Sequence, residues 1–277
     1  VSAVAAGLRI EPSQGWRDLG LGELWDYRQL LFFIVLRDIK VKYKQTIIGV
    51  GWAVIQPVFT MGVFTLVFNG LGKIPSEGDV PYPVFSLAGL VPWFFFASGI
   101  SQASGSLVSG GTLIKRIYFP RLIIPLSAVL SGSVDLLIAF VLLLGMMAYA
   151  GIAPTLAIIW LPLLLVLTVA TSLGVGLWLC AMNAQFRDIR YAVGFIMQVW
   201  LYVTPVIYPT SIVPERWQPV LALNPMVGVV EGFRWALLGT GSGPGPVLIA
   251  SSVTALVLLV SGAFYFRRIE RTFADVI

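Results

Sequence analysis

Six apolar runs of membrane-spanning length, at 47–70, 84–106, 122–149, 155–182, 191–208 and 246–266, constrain this chain more than any other feature. The hydrocarbon core of a bilayer is about 30 Å thick and takes roughly 20 helical residues to cross. Lipid offers the backbone no hydrogen bonds, and an α-helix satisfies its peptide groups within one segment. The runs therefore predict an all-α, polytopic membrane protein with six transmembrane helices. Composition agrees. Of 277 residues, 58% are hydrophobic and 11% charged, with mean hydropathy +0.90, whereas soluble domains carry about 25% charged residues. Disorder and collagen-like repeats are excluded on the same grounds.

The placement of Lys and Arg gives the orientation. Fifteen of the eighteen fall on one side, in segment 1–46, the loops 107–121 and 183–190, and the tail 267–277. Only Lys73, Arg216 and Arg234 fall on the other. Both termini are thus expected in the cytoplasm, and the net charge of +5 reflects topology rather than nucleic-acid binding. The first 22 residues, with Pro12, Gly15, Gly20 and Gly22, read as irregular and lack the apolar core and cleavage site of a signal peptide. The chain divides into a cytoplasmic N-terminal segment, 1–46, and a transmembrane domain, 47–277.

Two stretches are too short or too broken to span. Residues 23–44 alternate Trp25, Leu30, Phe33, Ile34 and Val41 with Arg28, Arg37, Asp38, Lys40, Lys42 and Lys44. That pattern predicts an amphipathic interface helix beside anionic head groups. Residues 209–240 are interrupted by Pro209, Pro214, Pro219 and Asn224-Pro225. They predict two short re-entrant half-helices at 215–223 and 226–238, dipping into the outer leaflet, with Glu231 and Arg234 at i,i+3. A pathway lid and a plain surface helix both fit this piece.

Absent residue types exclude whole chemistries. With no histidine and a single cysteine, Cys180, the chain has no His-based catalysis, no His–Cys metal site and no intrachain disulfide. Cys180 lies in an apolar run and reads as a small hydrophobe. No G-x-x-x-x-G-K-[ST] string occurs, so the chain has no phosphate loop for ATP. Glu77, Asp79, Glu215 and Glu231 form no nucleophile–base pattern. The chain is expected not to be an enzyme by itself and to bind no metal or cofactor. Asp135 alone among ionisable residues falls mid-span, near the bilayer centre. A membrane-buried acid needs a donor or a proton, so it serves either interhelical bonding or proton coupling. Without a second buried charge, the energy source is expected in another subunit.

Several strings then carry a resemblance: RDIKVKYKQTIIGVGWAVIQP (37–57), AGLVPWFFF (88–96), KRIYFPRLIIP (115–125), NAQFRDIRY (183–191), TPVIYP (204–209) and NPMVGVVEGFRWALLG (224–239). The chain resembles the membrane subunit of bacterial polysaccharide-export ABC transporters, closest to the O-antigen branch of lipopolysaccharide export, with the teichoic acid exporter permeases related. The resemblance covers about 16–270 in order and spacing. It implies a homodimer working with two copies of a cytoplasmic ATPase that uses ATP and Mg. The substrate would be an undecaprenyl-pyrophosphate-linked polysaccharide carried outward across the inner membrane. The ATPase-coupling element would be Thr112, Leu113, Ile114, Lys115, Arg116, Ile117, Tyr118 and Phe119, an apolar-plus-basic piece closed by Pro120. The interface helix and outer gate helices of the family fall on 23–44 and 215–238, the latter bearing Glu215, Trp217, Glu231 and Arg234.

Aromatics supply a physical reason for sugar transport. Trp93, Phe94, Phe95 and Phe96 sit roughly 15 Å below the outer end of their span by helix rise, too deep for interfacial anchoring. Flat rings suit the C–H faces of pyranoses. Two copies meeting through the first and fifth spans would place Trp52, Phe59, Trp200 and Tyr202 around a shared, nearly uncharged lumen, with Trp93–Phe96 nearby; bundle packing is the alternative for each ring. Arg37, Lys40 and Lys42 are candidates to recruit the lipid head group, with membrane anchoring as the alternative. A teichoic acid or capsular polysaccharide permease stays open, as does a small-molecule exporter, which would lack this interface helix and gate pair. A membrane glycosyl- or acyltransferase would need an acid or His pair that is missing, and a scaffold would not explain interior aromatics.

Overall fold

The computed structural model describes residues 21–44, 49–110, 119–186, 188–241, 243 and 245–270, and every regular element among them is helical. In chain order these are α1 (Leu21–Asp26), α2 (Arg28–Lys44), α3 (Gly51–Phe64, extended by a π-helical turn Thr65–Leu71), α4 (Tyr82–Ser109), α5 (Ile123–Ser131) and α6 (Ser133–Tyr149). A 3₁₀ turn, Leu156–Trp160, leads into α7 (Leu161–Gln185), followed by α8 (Ile189–Val203). The 3₁₀ turn Glu215–Trp217 leads into α9 (Gln218–Ala222), followed by α10 (Pro225–Leu238) and α11 (Pro246–Glu270).

Five stretches are long and apolar enough to cross a bilayer: Gly51–Leu71, Tyr82–Ser109, Ile123–Tyr149, Leu156–Gln185 and Pro246–Glu270. The fifth apolar run of the sequence gives less helix than its length suggests. Its helix α8 has 15 residues, about 22 Å by rise and short of the hydrocarbon thickness. Thr204 is extended (ψ 136°) because a residue before proline is pushed out of helical geometry, here by Pro205. Residues 204–207 are then buried without being helical. The outer segment follows as two half-helices bent by 103°. Asn224 makes the corner, its side chain accepting from Met226 N at 3.1 Å, and Gly239 closes α10 with φ +70°, a left-handed cap that glycine adopts without strain.

The expected interface helix is interrupted at Tyr27, giving α1 and α2. Rather than lying apart from the bundle, α2 packs along α5 and buries Ile34. Asp135 finds its partners there: Lys42 Nζ binds Oδ2 and Tyr43 OH donates to Oδ1 at 2.5 Å. The acid is thus bonded by a cation and a phenol from the N-terminal segment, the kind of donors a membrane-buried carboxyl needs. Burial and the Asp135 carboxylate push the Tyr43 phenol well above its ordinary range, so it remains a donor throughout the physiological range.

α4 is the central post. It packs against α5, α6, α7 and α10, and α3 and α8 flank it. A second cluster, around α2, joins Ile34, Phe119, Ile123, Cys180 and Phe266; Cys180 is fully buried, with Sγ 3.6 Å from Ser106 Oγ. The tightest helix contact is α7 on α11. A Cβ on Gly174 would meet Leu259 N at 2.6 Å, and one on Gly262 would meet Gly174 O at 2.4 Å. Glycines here let two backbones touch, the usual device for helix association in lipid. Trp178 completes it by stacking on Tyr265 with centroids 4.2 Å apart and donating to Ser261 Oγ at 3.1 Å.

Gly262→Leu should therefore abolish the monodisperse species in detergent size-exclusion chromatography, because backbone atoms cannot yield to the new side chain. Gly145→Leu, where a Cβ meets nothing within 4 Å, should elute as the unmodified protein does.

Candidate functional site

The eight aromatics expected on a transport path divide by environment. Trp52, Phe59 and Tyr202 are exposed at 55%, 71% and 53%. Trp93, Phe95 and Phe96 are buried within the chain. Trp93 packs on Phe96 at 5.4 Å, and Phe96 meets Trp200 edge-on at 5.1 Å. Phe95 lies against Val129 and Leu136, and its ring atoms come within 3.5 Å of where a Cβ on Gly132 would sit. Trp200 is spoken for at its polar end too, donating to Asn224 Oδ1 at 3.0 Å. Phe94 is partly buried against the outer core. The buried rings hold the bundle, whereas Trp52, Phe59 and Tyr202 are left on the surface of the chain.

A surface that the sequence reading missed lies lower on α4. Phe94, Ala97, Ser98, Ser101, Gln102, Gly105, Val108 and Ser109 are the positions of α4 from 94 to 109 that are not buried. Their three- and four-residue spacing puts them on one helix face. A lipid-facing span would show Leu, Ile and Val there; this one shows three hydroxyls and an amide without a charge. Ser98 Oγ donates to Phe95 O at 3.2 Å and Ser109 Oγ to Ser106 O at 3.1 Å. The hydroxyl protons of Ser98 and Ser109 are thus occupied by the helix's own carbonyls while their oxygen lone pairs stay open as acceptors. The signal was present in the sequence as serines and a glutamine recurring at helical spacing below Phe96.

Of the four outer-gate candidates, two are exposed and two are not. Glu215 and Trp217 lie on the surface, with the Arg216 guanidinium 5.9 Å from the Trp217 ring centroid. Glu231 accepts a hydrogen bond from Thr210. Arg234 is fully interior. Its fork donates to Pro205 O and Val206 O, both at 2.7 Å, and to Phe85 O at 3.4 Å, with its guanidinium carbon 3.6 Å from the Phe85 ring centroid. Gly89 makes room, since a Cβ there would meet Nη2 at 2.9 Å. α10 is therefore fixed to α4 and the 204–207 segment, and the more exposed piece of the outer hairpin is 215–223, anchored by the buried Ala222.

Thr112, Leu113, Ile114, Lys115, Arg116, Ile117 and Tyr118 of the expected coupling element lie outside the described residues. Phe119 is buried in the cluster around Ile34 and Phe266, and Arg121 Nη1 donates to Glu270 O at 2.5 Å. The three head-group candidates also separate. Arg37 pairs with Asp38 at 2.8 Å, Lys40 is exposed, and Lys42 is engaged by Asp135.

The sequence profile of the ABC-2 type transporter family matches residues 29–238. The chain belongs to the ABC-2 type transporter family. It is a multi-pass membrane transport component. Among curated relatives, it is 28% identical to the O-antigen export system permease protein RfbA of Klebsiella pneumoniae over 93% of this chain and 97% of that one. It is likewise 28% identical to the RfbA of Myxococcus xanthus, over 92% of this chain and 98% of the relative. The polysialic acid transport protein KpsM of Escherichia coli is 24% identical over 86% of this chain and 92% of its own length.

Arg234→Met in this family member removes the donors of three interior carbonyls, at about 1–3 kcal/mol each. A fall of at least 10 °C in apparent melting temperature in detergent is expected. Trp217→Ala, an exposed position, should shift it by less than 2 °C.

Proposed function

We propose that this ABC-2 protein is the permease subunit of an exporter that moves an undecaprenyl-pyrophosphate-linked, O-antigen-type polysaccharide outward across the bacterial inner membrane. It would act as a homodimer with both termini in the cytoplasm, hydrolysing no ATP itself. Two copies of a separate cytoplasmic ATPase, which bind the ATP and Mg, would engage Thr112–Phe119. Similarity to RfbA and KpsM over most of their lengths supports a polysaccharide cargo.

The observation that carries the reading is the uncharged polar face of α4 flanked by α3 and α8. A glycan presents hydroxyl donors and C–H faces in alternation. Ser98, Ser101, Gln102 and Ser109 offer acceptors to the first, and Trp52, Phe59 and Tyr202 offer rings to the second. Contacts of about 1 kcal/mol or less per ring break and re-form as the polymer advances. A fixed charge would hold the chain at every repeat, and the one acid inside a span, Asp135, is already neutralised by Lys42. The exposed 215–223 piece would form the movable part of the outer gate. Of the head-group candidates on α2, Lys40 is exposed and would meet the pyrophosphate first, while Arg37 would have to exchange Asp38 for it. Export of a capsular polymer is the second reading, favoured by the KpsM match.

The test replaces Phe59 and Tyr202 singly with Ala, and Ser101 and Gln102 together with Leu, in cells lacking the native gene. Surface polysaccharide should fall at least tenfold while the purified complex keeps its ATPase activity within twofold. Normal export by all three variants would place the path elsewhere. Trp93→Ala should instead lower thermal stability, as expected for a packed ring.

A further inference from the structure

We propose that Lys42, Tyr43 and Asp135 form the joint through which the N-terminal helix α2 transmits motion from the cytoplasmic face to the outer half of the α5–α6 span. This rests on the transport reading above and assigns coupling residues to it.

α2 is attached at two places. Near its middle, Ile34 is buried in the cluster that contains Phe119, Leu122 and Ile123, where the chain leaves the coupling segment and enters α5. Two turns later, roughly 12 Å along the helix, Lys42 and Tyr43 grip the Asp135 carboxylate, one donor on each oxygen. Between the two attachments, the span departs from regular α geometry at one residue, Gly132 (φ −70°, ψ −10°), whose N–H bonds Val129 O at 3.1 Å. α5 ends at Ser131 and α6 begins at Ser133, with Gly132 as cap of both. The first attachment lies below Gly132 and the second above it, three residues into α6. α2 thus lies across the joint as a splint, so displacement at Phe119 reaches α6 without being lost at the glycine.

The cations of α2 sort accordingly. Arg37, Lys40 and Lys44 recur at i, i+3 and i+7 and share one face, while Lys42 is two residues from both Lys40 and Lys44 and points elsewhere. Its role is separate from the surface cations. Asp135 also sits in the first turn of α6, where a carboxylate is favoured by the helix dipole. The pair is not deeply enclosed, with side chains 37% and 27% exposed for Lys42 and Asp135. A bond worth little for stability at such exposure is still directional, and two donors on one carboxylate fix the angle between α2 and α6.

The experiment uses the permease copurified with its ATPase and reconstituted, together with surface polysaccharide in cells. Asp135→Asn should assemble and keep ATPase activity within twofold, yet reduce export at least tenfold. The exchanged pair Lys42→Asp with Asp135→Lys should restore export to within about threefold of wild type, although each single reversal abolishes it. In a Cys180→Ala background, Lys42→Cys with Asp135→Cys should lose export, regain it when joined by a short bis-methanethiosulfonate, and lose it again on reduction. Normal export by Asp135→Asn would overturn the joint. So would an assembled, joined double-cysteine protein that fails to export, and this arm decides the matter if Asp135→Asn does not assemble. A wild-type protein that copurifies with no ATPase or exports no polymer would count against the transport reading instead.

Discussion

The guanidinium of Arg234 is the interaction on which the outer half of this protein depends. Inside a lipid-embedded bundle, each peptide group outside a helix is a liability, because neither water nor hydrocarbon supplies a partner at low cost. The chain leaves helical geometry at Thr204 and turns through a buried, non-helical stretch before the outer hairpin. A single fork, with donors spread over three nitrogens, answers Phe85, Pro205 and Val206, and Tyr82 OH answers Ile207 O at 2.7 Å. Lysine could not do this. Its ammonium is a point donor, whereas guanidinium holds a fixed planar array. Once Arg234 is set, α10 is fixed, Asn224 turns the corner by bonding both Trp200 and Thr204, and the freedom left in the outer segment falls to residues 215–223.

That arrangement explains what could and could not be read from the sequence. Spans announce themselves because hydropathy over about 20 residues is set by lipid, whatever the bundle does. The half-helices were legible for a similar reason, since Pro214, Pro219 and Pro225 interrupt any helix. Placement around the helix axis is different. Trp93–Phe96 and Ser98–Ser109 belong to one helix with one composition, and only its packing neighbours decide that Phe95 turns toward Val129 while Ser101 turns outward. Arg234 was legible only as an outer-gate candidate three residues from Glu231, because its partners are backbone carbonyls, which carry no sequence signature. Asp135 was legible as a residue in need of a donor. That the donors come from 92 and 93 positions away could not be seen without α2 in place.

The two ionic features answer opposite needs. Arg234 is enclosed and bonded only to neutral groups, so it is permanent architecture. The Lys42–Asp135 pair is partly open, at the junction of elements that attach to different ends of the molecule. Burial raises the cost of breaking an interaction, because the abandoned partner is stranded; openness lowers it. A transporter needs both kinds, rigid parts that keep the wall intact and joints that pass movement without tearing the core.

The exposed face of α4 imposes a further condition. Ser98, Ser101, Gln102 and Ser109 would lie against hydrocarbon if a lone subunit floated in a bilayer. The self-bonded protons of Ser98 and Ser109 and the Ser131 hydroxyl donated to Gln102 Oε1 at 3.4 Å reduce that cost, but the Ser101 hydroxyl and the Gln102 NH₂ are left, at about 1–3 kcal/mol per unpartnered polar group. α3 shows the contrasting surface, with Phe59, Val63 and Leu66 outward, compatible with lipid or with an apolar partner. A wall with an apolar flank and a polar floor is stable only if the flank meets lipid or another copy while the floor meets water or a hydrated polymer. The homodimer proposed above meets that condition by turning the two α4 faces toward a common interior. The polarity of α4 is therefore a physical reason for assembly that does not depend on any single aromatic contact.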